Sequence, residues 1–174
     1  NQFDLIYAGA QKNLGPAGAT LVIVKKESLI ENGNLPTYLN YNTHIDKKSM
    51  FNTPPVFSIY VSMLTLRWLK SLGGIKSIEQ ENNKKAALLY NEIDNNPLFV
   101  GIVNKEDRSK MNVTFDIRNA DHKLKFENLC LENGINGIYG HRSVGGYRAS
   151  IYNALKISSV CFLIELMRKL KQII

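Results

Sequence analysis

Lys12 lies in the run Ala8-Gly9-Ala10-Gln11-Lys12-Asn13-Leu14-Gly15-Pro16-Ala17-Gly18, a loop shaped by three glycines and a proline. Small residues on both sides let a bulky ring approach the backbone. A lysine held there could form a Schiff base with an aldehyde cofactor. A nearby cationic ring would lower the amine's pKa and make it a usable proton shuttle. Taken alone, a lysine in such a loop is more often an ordinary solvated one. A second candidate is Asn52-Thr53-Pro54-Pro55. Asn or Thr before proline signals a helix start, because proline suits the first turn. Such a start also gathers unpaired N–H groups that favour an anion. The third is Gly140-His141-Arg142-Ser143-Val144-Gly145-Gly146-Tyr147-Arg148, with one histidine and two arginines in a glycine-rich segment. Guanidinium groups bind carboxylate or phosphate through two parallel hydrogen bonds. This set suits a doubly anionic small ligand.

These residues need elements to hold them. Leu5–Tyr7 and Thr20–Val24 are β-branched and aromatic runs that read as a hairpin-like strand pair around the Lys12 loop, part of a larger sheet. Residues 27–50 read as irregular and polar, with Gly33 and Pro36 as breakers. A helix is predicted from Val56 to Leu72, with Gly73-Gly74 ending it as a left-handed cap. A second runs from Ile75 to Ile93, with Ile78, Ala86, Leu89 and Ile93 on one face. Strands follow at Phe99–Val103 and Met111–Phe115, then a helix from His122 to Glu132, a turn-rich segment and a strand at Tyr147–Ile151. The last helix spans Ser158 to Ile173, with Ser158 as its N-cap. The class is α/β, with a break between residues 50 and 75 where one unit hands over to another.

Composition narrows the field. The net charge is +7, with 10 Lys and Arg against 6 Asp and Glu in residues 1–90, and 12 against 9 in residues 91–174. A charge spread this evenly, without a basic tail, argues against nucleic acid and leaves anionic substrates open. Cys130 and Cys161 have no metal-finger or redox spacing and read as two buried reduced thiols of a cytosolic protein. His44, His122 and His141 share no ligand spacing, so no metal is expected. No apolar run approaches the ~20 residues that span a bilayer. The doublets Lys25-Lys26, Lys47-Lys48 and Lys84-Lys85 read as solvated faces, and Tyr7, Tyr41 and Tyr60 as core or interface packing. The chain opens on Asn directly ahead of a strand, which reads as a cut or processed end with sequence missing upstream.

The Ala8–Gly18 run resembles the cofactor-lysine loop of the phosphoserine aminotransferases; other members of the wider aminotransferase class carry different residues around their lysine. Asn52-Thr53-Pro54-Pro55 is similar to that family's segment reaching across a dimer interface, and the Gly140–Ala154 run to its substrate segment. Arg108-Ser109-Lys110-Met111-Asn112-Val113 and Trp68-Leu69-Lys70 before Gly73-Gly74 match in order as well, so the resemblance covers the whole chain. It implies a fold-type I enzyme of class V using pyridoxal 5'-phosphate (PLP), of which this would be the C-terminal half. Residues 1–60 would end the large cofactor domain, and 61–174 would form bridging helices and the small α/β domain. Lys12 would carry PLP as a Schiff base, with Gln11 beside the ring and phosphate. Asn52 and Thr53 would hold the PLP phosphate of the neighbouring subunit, giving a homodimer with shared active sites. His141 and Arg142 would bind the substrate phosphate, and Arg148 the α-carboxylate.

The implied reaction moves an amino group from glutamate to 3-phosphohydroxypyruvate, giving phosphoserine for serine biosynthesis in the cytoplasm. A longer substrate of vitamin B6 biosynthesis fits the same pattern. The family's upstream half supplies the acidic partner of the pyridine nitrogen and the residue stacked on the ring, and neither maps here. This chain by itself is therefore expected to be inactive or nearly so. Two other readings compete: a non-catalytic dimerisation or structural module that retains these residues, and a sister aminotransferase with another substrate.

Overall fold

The computed structural model describes residues 2–29 and 34–174. Gly33, read above as a breaker, lies outside the described residues. The chain divides into two compact units, Asn1–Ser71 and Leu72–Ile174. The division follows the end of a continuous helix, whereas the sequence reading drew its line at residue 60, inside that helix.

In the first unit, β1 (Leu5–Gly9) pairs antiparallel with β2 (Thr20–Val24), from Leu5 opposite Val24 to Gly9 opposite Thr20. β-branched residues favour this pleated pairing, and the Lys12 loop joins the two strands. The stretch read as irregular contains a short helix, α1 (Tyr41–Asp46). Asn40 caps it, its Oδ1 accepting the Asn42 N–H at 3.0 Å. A six-residue helix is too short to show a periodic pattern. The helix α2 (Val56–Ser71) begins directly after Pro54-Pro55. Its first turn closes from Ile59 N–H onto the Pro55 carbonyl at 3.1 Å, while Asn52 turns its amide onto the Thr53 carbonyl. Tyr7, Tyr41 and Tyr60, expected to pack, all stand exposed on this chain.

In the second unit, α3 (Gly74–Asn95) opens at Gly73-Gly74, with Gly73 at the N-cap and φ values of 97° and 76° that are left-handed. Glycine takes these without a Cβ clash. Strands β3 (Phe99–Gly101), β4 (Asn112–Ile117) and β5 (Tyr147–Ser150) form an antiparallel sheet with β4 central. Along β4 every second residue is buried: Val113, Phe115 and Ile117. That is the period of a sheet with one covered face. The helices α4 (Lys123–Glu132) and α5 (Ile157–Ile173) supply the rest of the core with α3. Phe99, Phe115, Phe126 and Tyr147 pack at its centre, most pairs edge to face, with the Phe126 and Tyr147 centroids 5.1 Å apart. The buried Glu92 carboxylate ties α3 to α5, accepting from Arg168 Nε at 2.7 Å and from Asn96 Nδ2 at 2.9 Å.

Three further readings change here. α5 starts at Ile157, with Lys156 at the N-cap position, so Ser158 lies inside the first turn and caps nothing. Cys130 is buried as expected, but Cys161 is only half-buried. Lys84 is solvated, yet its neighbour Lys85 is among the most deeply buried side chains of the molecule. One turn of helix carries adjacent residues to different faces. Among the described residues, no helix is long and apolar enough to cross a membrane.

Candidate active site

The Lys12 loop is held by its own backbone and by α2. Ala10 is buried; its N–H donates to the Ala19 carbonyl at 2.9 Å, and its carbonyl accepts the Gly15 N–H at 2.8 Å. Ser58 of α2 donates its hydroxyl to the Ala17 carbonyl at 2.7 Å. A Cβ on Gly15 would lie 3.1 Å from Ser62 Cα, and one on Gly18 would lie 2.6 Å from Ser58 Oγ. Gly18 also has a φ of 112°, which L side chains rarely adopt. The loop therefore sits on α2 at a distance only glycine permits. Gln11 folds back over Gly9, where any Cβ would collide with its Oε1. Lys12 and Gln11 are exposed on the loop, whose main chain is fixed on both sides. Asn52 and Thr53 are exposed too. Pro55, at the end of their segment, has its Cβ 4.0 Å from the place of a Gly18 Cβ, so the segment adjoins the foot of the Lys12 loop.

The second unit presents two separate anion-ready places. Arg148 lies on β5 opposite Thr114, with its N–H on the Ile138 carbonyl at 2.7 Å. Its guanidinium Nε is buried and has no hydrogen-bond partner among the described residues. An unsatisfied buried donor is costly and rare. Arg148 lines a cavity of about 370 Å³ with Ile135, Ser150, Leu155, Ser159 and Phe162. Arg148 is the one cationic side chain among the residues that line this cavity, so a carboxylate there would have a guanidinium beside it.

His141 and Arg142 lie elsewhere, on an exposed turn beside a cavity of about 270 Å³ shared with Lys123, Glu127 and Tyr147. The turn is tight: a Cβ on Gly140 would collide with the Gly145 carbonyl, and Gly146 packs against the Phe115 carbonyl. His141 Nδ1 accepts the Ser143 N–H at 3.3 Å and lies 2.6 Å from its Oγ. Since a backbone N–H donates to Nδ1, the neutral ring carries its proton on Nε2. Lys123 is paired with Asp116 at 2.9 Å. Glu127 accepts from the buried Tyr147 hydroxyl at 2.8 Å. Burial, then that hydrogen bond, raises the phenol well above its usual range. Among the described residues, no group of His, Cys, Asp and Glu could hold a metal ion.

The structure thus gathers Gln11, Lys12, Asn52 and Thr53 in one unit, and His141, Arg142 and Arg148 in the other. Within the second unit Arg148 lines one cavity, and His141 and Arg142 line another. Sequence reasoning missed Lys85. Its signal was position: it lies on the stripe of α3 that carries the buried Asn82, Leu89 and Ile93.

The family model of aminotransferase class V matches residues 1–163. The chain belongs to that family. As a class-V aminotransferase it is 59% identical over 172 residues to the phosphoserine aminotransferase of Flavobacterium johnsoniae, covering 98% of this chain and 48% of that protein. The solved phosphoserine aminotransferase of Bacillus circulans subsp. alkalophilus is 43% identical, with a TM-score of 0.92 over 98% of this chain and 48% of that one. The PLP-bound phosphoserine aminotransferase of Trichomonas vaginalis is 36% identical, with a TM-score of 0.86 over 95% and 48%. The chain spans about half the length of the curated relatives it matches. The expected α/β architecture of a fold-type I aminotransferase is borne out by these structures.

Proposed function

We propose that this class-V aminotransferase chain carries the cofactor lysine and the substrate anion grips of a phosphoserine aminotransferase, acting on glutamate and 3-phosphohydroxypyruvate. The observation that carries this reading is the Lys12 loop, seated on α2 by Gly15 and Gly18 at contacts that leave no room for a Cβ. That loop fits a flat aldehyde cofactor: its small residues leave the approach clear, and its pinned backbone fixes the root of the lysine. PLP, when bound, supplies the electron sink. Lys12 would hold it, and its freed Nζ would take and return the substrate Cα proton. Gln11 would border the ring, and Asn52 and Thr53 would bind a cofactor phosphate.

Arg148 holds the α-carboxylate of both substrates in this reading, and its orphaned buried Nε supports the role. His141, through Nε2–H, and Arg142 hold the substrate phosphate. Their separation from Arg148 into different cavities supports active sites assembled from two copies in a homodimer. Two unpaired thiols support a cytoplasmic setting, where the product feeds serine biosynthesis.

The test is Lys12→Ala in the full-length protein. The expected result is loss of the visible cofactor absorption and a fall in glutamate-dependent amino transfer of at least ~10²–10⁴-fold. Turnover at the wild-type rate would refute the reading.

A further inference from the structure

Lys85 is 1% exposed, yet no carboxylate receives its charge by direct contact among the described residues. Instead its Nζ donates to three main-chain carbonyl oxygens: Ile151 at 3.1 Å, Tyr152 at 2.8 Å and Leu155 at 3.1 Å. An ammonium has three donors, and here all three are used. Burial lowers the Lys85 pKa, and the charge of Glu81 opposes that shift. A buried charge is tolerated only where such partners are assembled around it.

The three carbonyls belong to the turn that leaves β5, the strand carrying Arg148. Other side chains pin the same turn. Asn82, one turn before Lys85 on α3, donates to Asn153 Oδ1 at 2.7 Å. Asn112 on β4 reaches the Tyr152 hydroxyl at 3.0 Å and accepts from Ser150 Oγ at 3.1 Å. The pinned turn is also a wall of the Arg148 cavity, which Ser150, Ile151 and Leu155 help to line. A lysine on a helix thus organises the backbone beside Arg148, whose buried Nε lacks an acceptor among the described residues.

We propose that Lys85 is a positioning residue for substrate binding: by gathering the Ile151, Tyr152 and Leu155 carbonyls, its ammonium fixes the wall of the Arg148 cavity and holds that guanidinium ready for a carboxylate. The proposal rests on the reading of Arg148 as the carboxylate grip. Lys85 touches no substrate; it acts through the turn. Its side chain serves as a strut whose stem packs in the core while its head orders polar backbone.

The test compares Lys85→Met, Arg148→Gln and the double variant in the full-length, cofactor-loaded protein. Lys85→Met keeps most of the volume and removes the three donors. The expected result is a glutamate KM raised about 10- to 100-fold, the loss that follows misplacement of a binding group. kcat at saturating glutamate and the visible cofactor spectrum stay close to wild type. Added to Arg148→Gln, the same change raises KM no further, because the group being positioned is already gone. Should Lys85→Met fail to fold, Lys85→Gln, which keeps two donors, carries the same comparison with a smaller KM effect. An unchanged KM in the folded Lys85 variant, with a raised KM in Arg148→Gln, would overturn the positioning role alone. A KM penalty as large in the Arg148→Gln background as in wild type would also overturn it. If Arg148→Gln itself leaves KM unchanged, the carboxylate reading falls and the proposal falls with it.

Discussion

Every buried hydrophobic side chain among the described residues except Ala10 belongs to Leu72–Ile174. There a three-stranded sheet and three helices enclose Phe99, Phe115 and Phe126 completely. In Asn1–Ser71, by contrast, Ile6, Leu21 and Ile23 of the β1–β2 pair and Phe57, Ile59 and Leu66 of α2 stay between about half and three-quarters exposed. The Lys12 loop thus has precise local geometry in a unit with almost no enclosed core. A two-stranded pair is at best marginal by itself. The contrast separates two sources of order. The second unit holds His141, Arg142 and Arg148 by its own apolar packing. The first holds its lysine by backbone hydrogen bonds and glycine contacts with one helix.

The largest effect comes from cutting the chain between the units. Residues 72–174, expressed alone, are expected to unfold in urea as one cooperative transition. Residues 1–71 alone are expected to show none. Cooperative unfolding of the first piece by circular dichroism would break the comparison. The next effect comes from single truncations within the whole chain. Phe115→Ala removes a fully buried ring that packs on Phe99, Phe126 and Tyr147. It should cost about 3–5 kcal/mol in urea titration. Ile23→Ala, at an exposed position, should cost less than ~1 kcal/mol in the same chain. Equal costs would mean the first unit encloses its strands after all.

These differences also explain what was legible in the sequence. The β1–β2 pair followed from β-branched runs, and the Lys12 loop from its glycines and proline. Helix α3 followed from the apolar stripe of Ile78, Ala86, Leu89 and Ile93. What escaped were facts of orientation. Lys85 was grouped with Lys84 by charge, but helical rotation sets one in water and the other in the core. His141, Arg142 and Arg148 lie close together in the chain, and that closeness does not show that they line different cavities. Strand alternation turns Tyr147 and Ala149 into the core and Arg148 the other way, so the run is split between two cavities. α1 is too short to show a period, and the first residue of α5 falls within the one or two residues by which helix ends vary.

A smaller expected effect tests the first unit's glycine contacts. Gly18→Ala places a methyl group against Ser58 Oγ at a backbone angle of φ 112°. It should destabilise the loop by about 1–3 kcal/mol and weaken cofactor retention in the full-length protein, read as a faster loss of visible absorption on dilution. Pairing it with Ser58→Ala, which relieves the contact but loses the bond to the Ala17 carbonyl, sharpens the test. If contact is the cause, the double variant recovers part of the loss, whereas strain in φ alone leaves it unrecovered.

The smallest effect belongs to the edge of the second unit. Arg108 grips Asp94 with two bonds of 2.8 Å while lying 4.6 Å over the Tyr90 ring. The Arg108 hydrogen bonds hold the Asp94 carboxyl below its usual pKa, against the opposing effect of burial. A folded-state pKa below the unfolded value contributes stability above the unfolded pKa, and that contribution is lost as pH falls through the folded one. Asp94→Asn should therefore cost about 0.5–1 kcal/mol at neutral pH, the range of a well-formed pair near the surface. The difference from wild type should vanish toward pH 2, where both chains carry an uncharged group at position 94. A gap between the two urea midpoints that persists unchanged at low pH would assign the effect to lost packing around the Tyr90 ring instead of to charge.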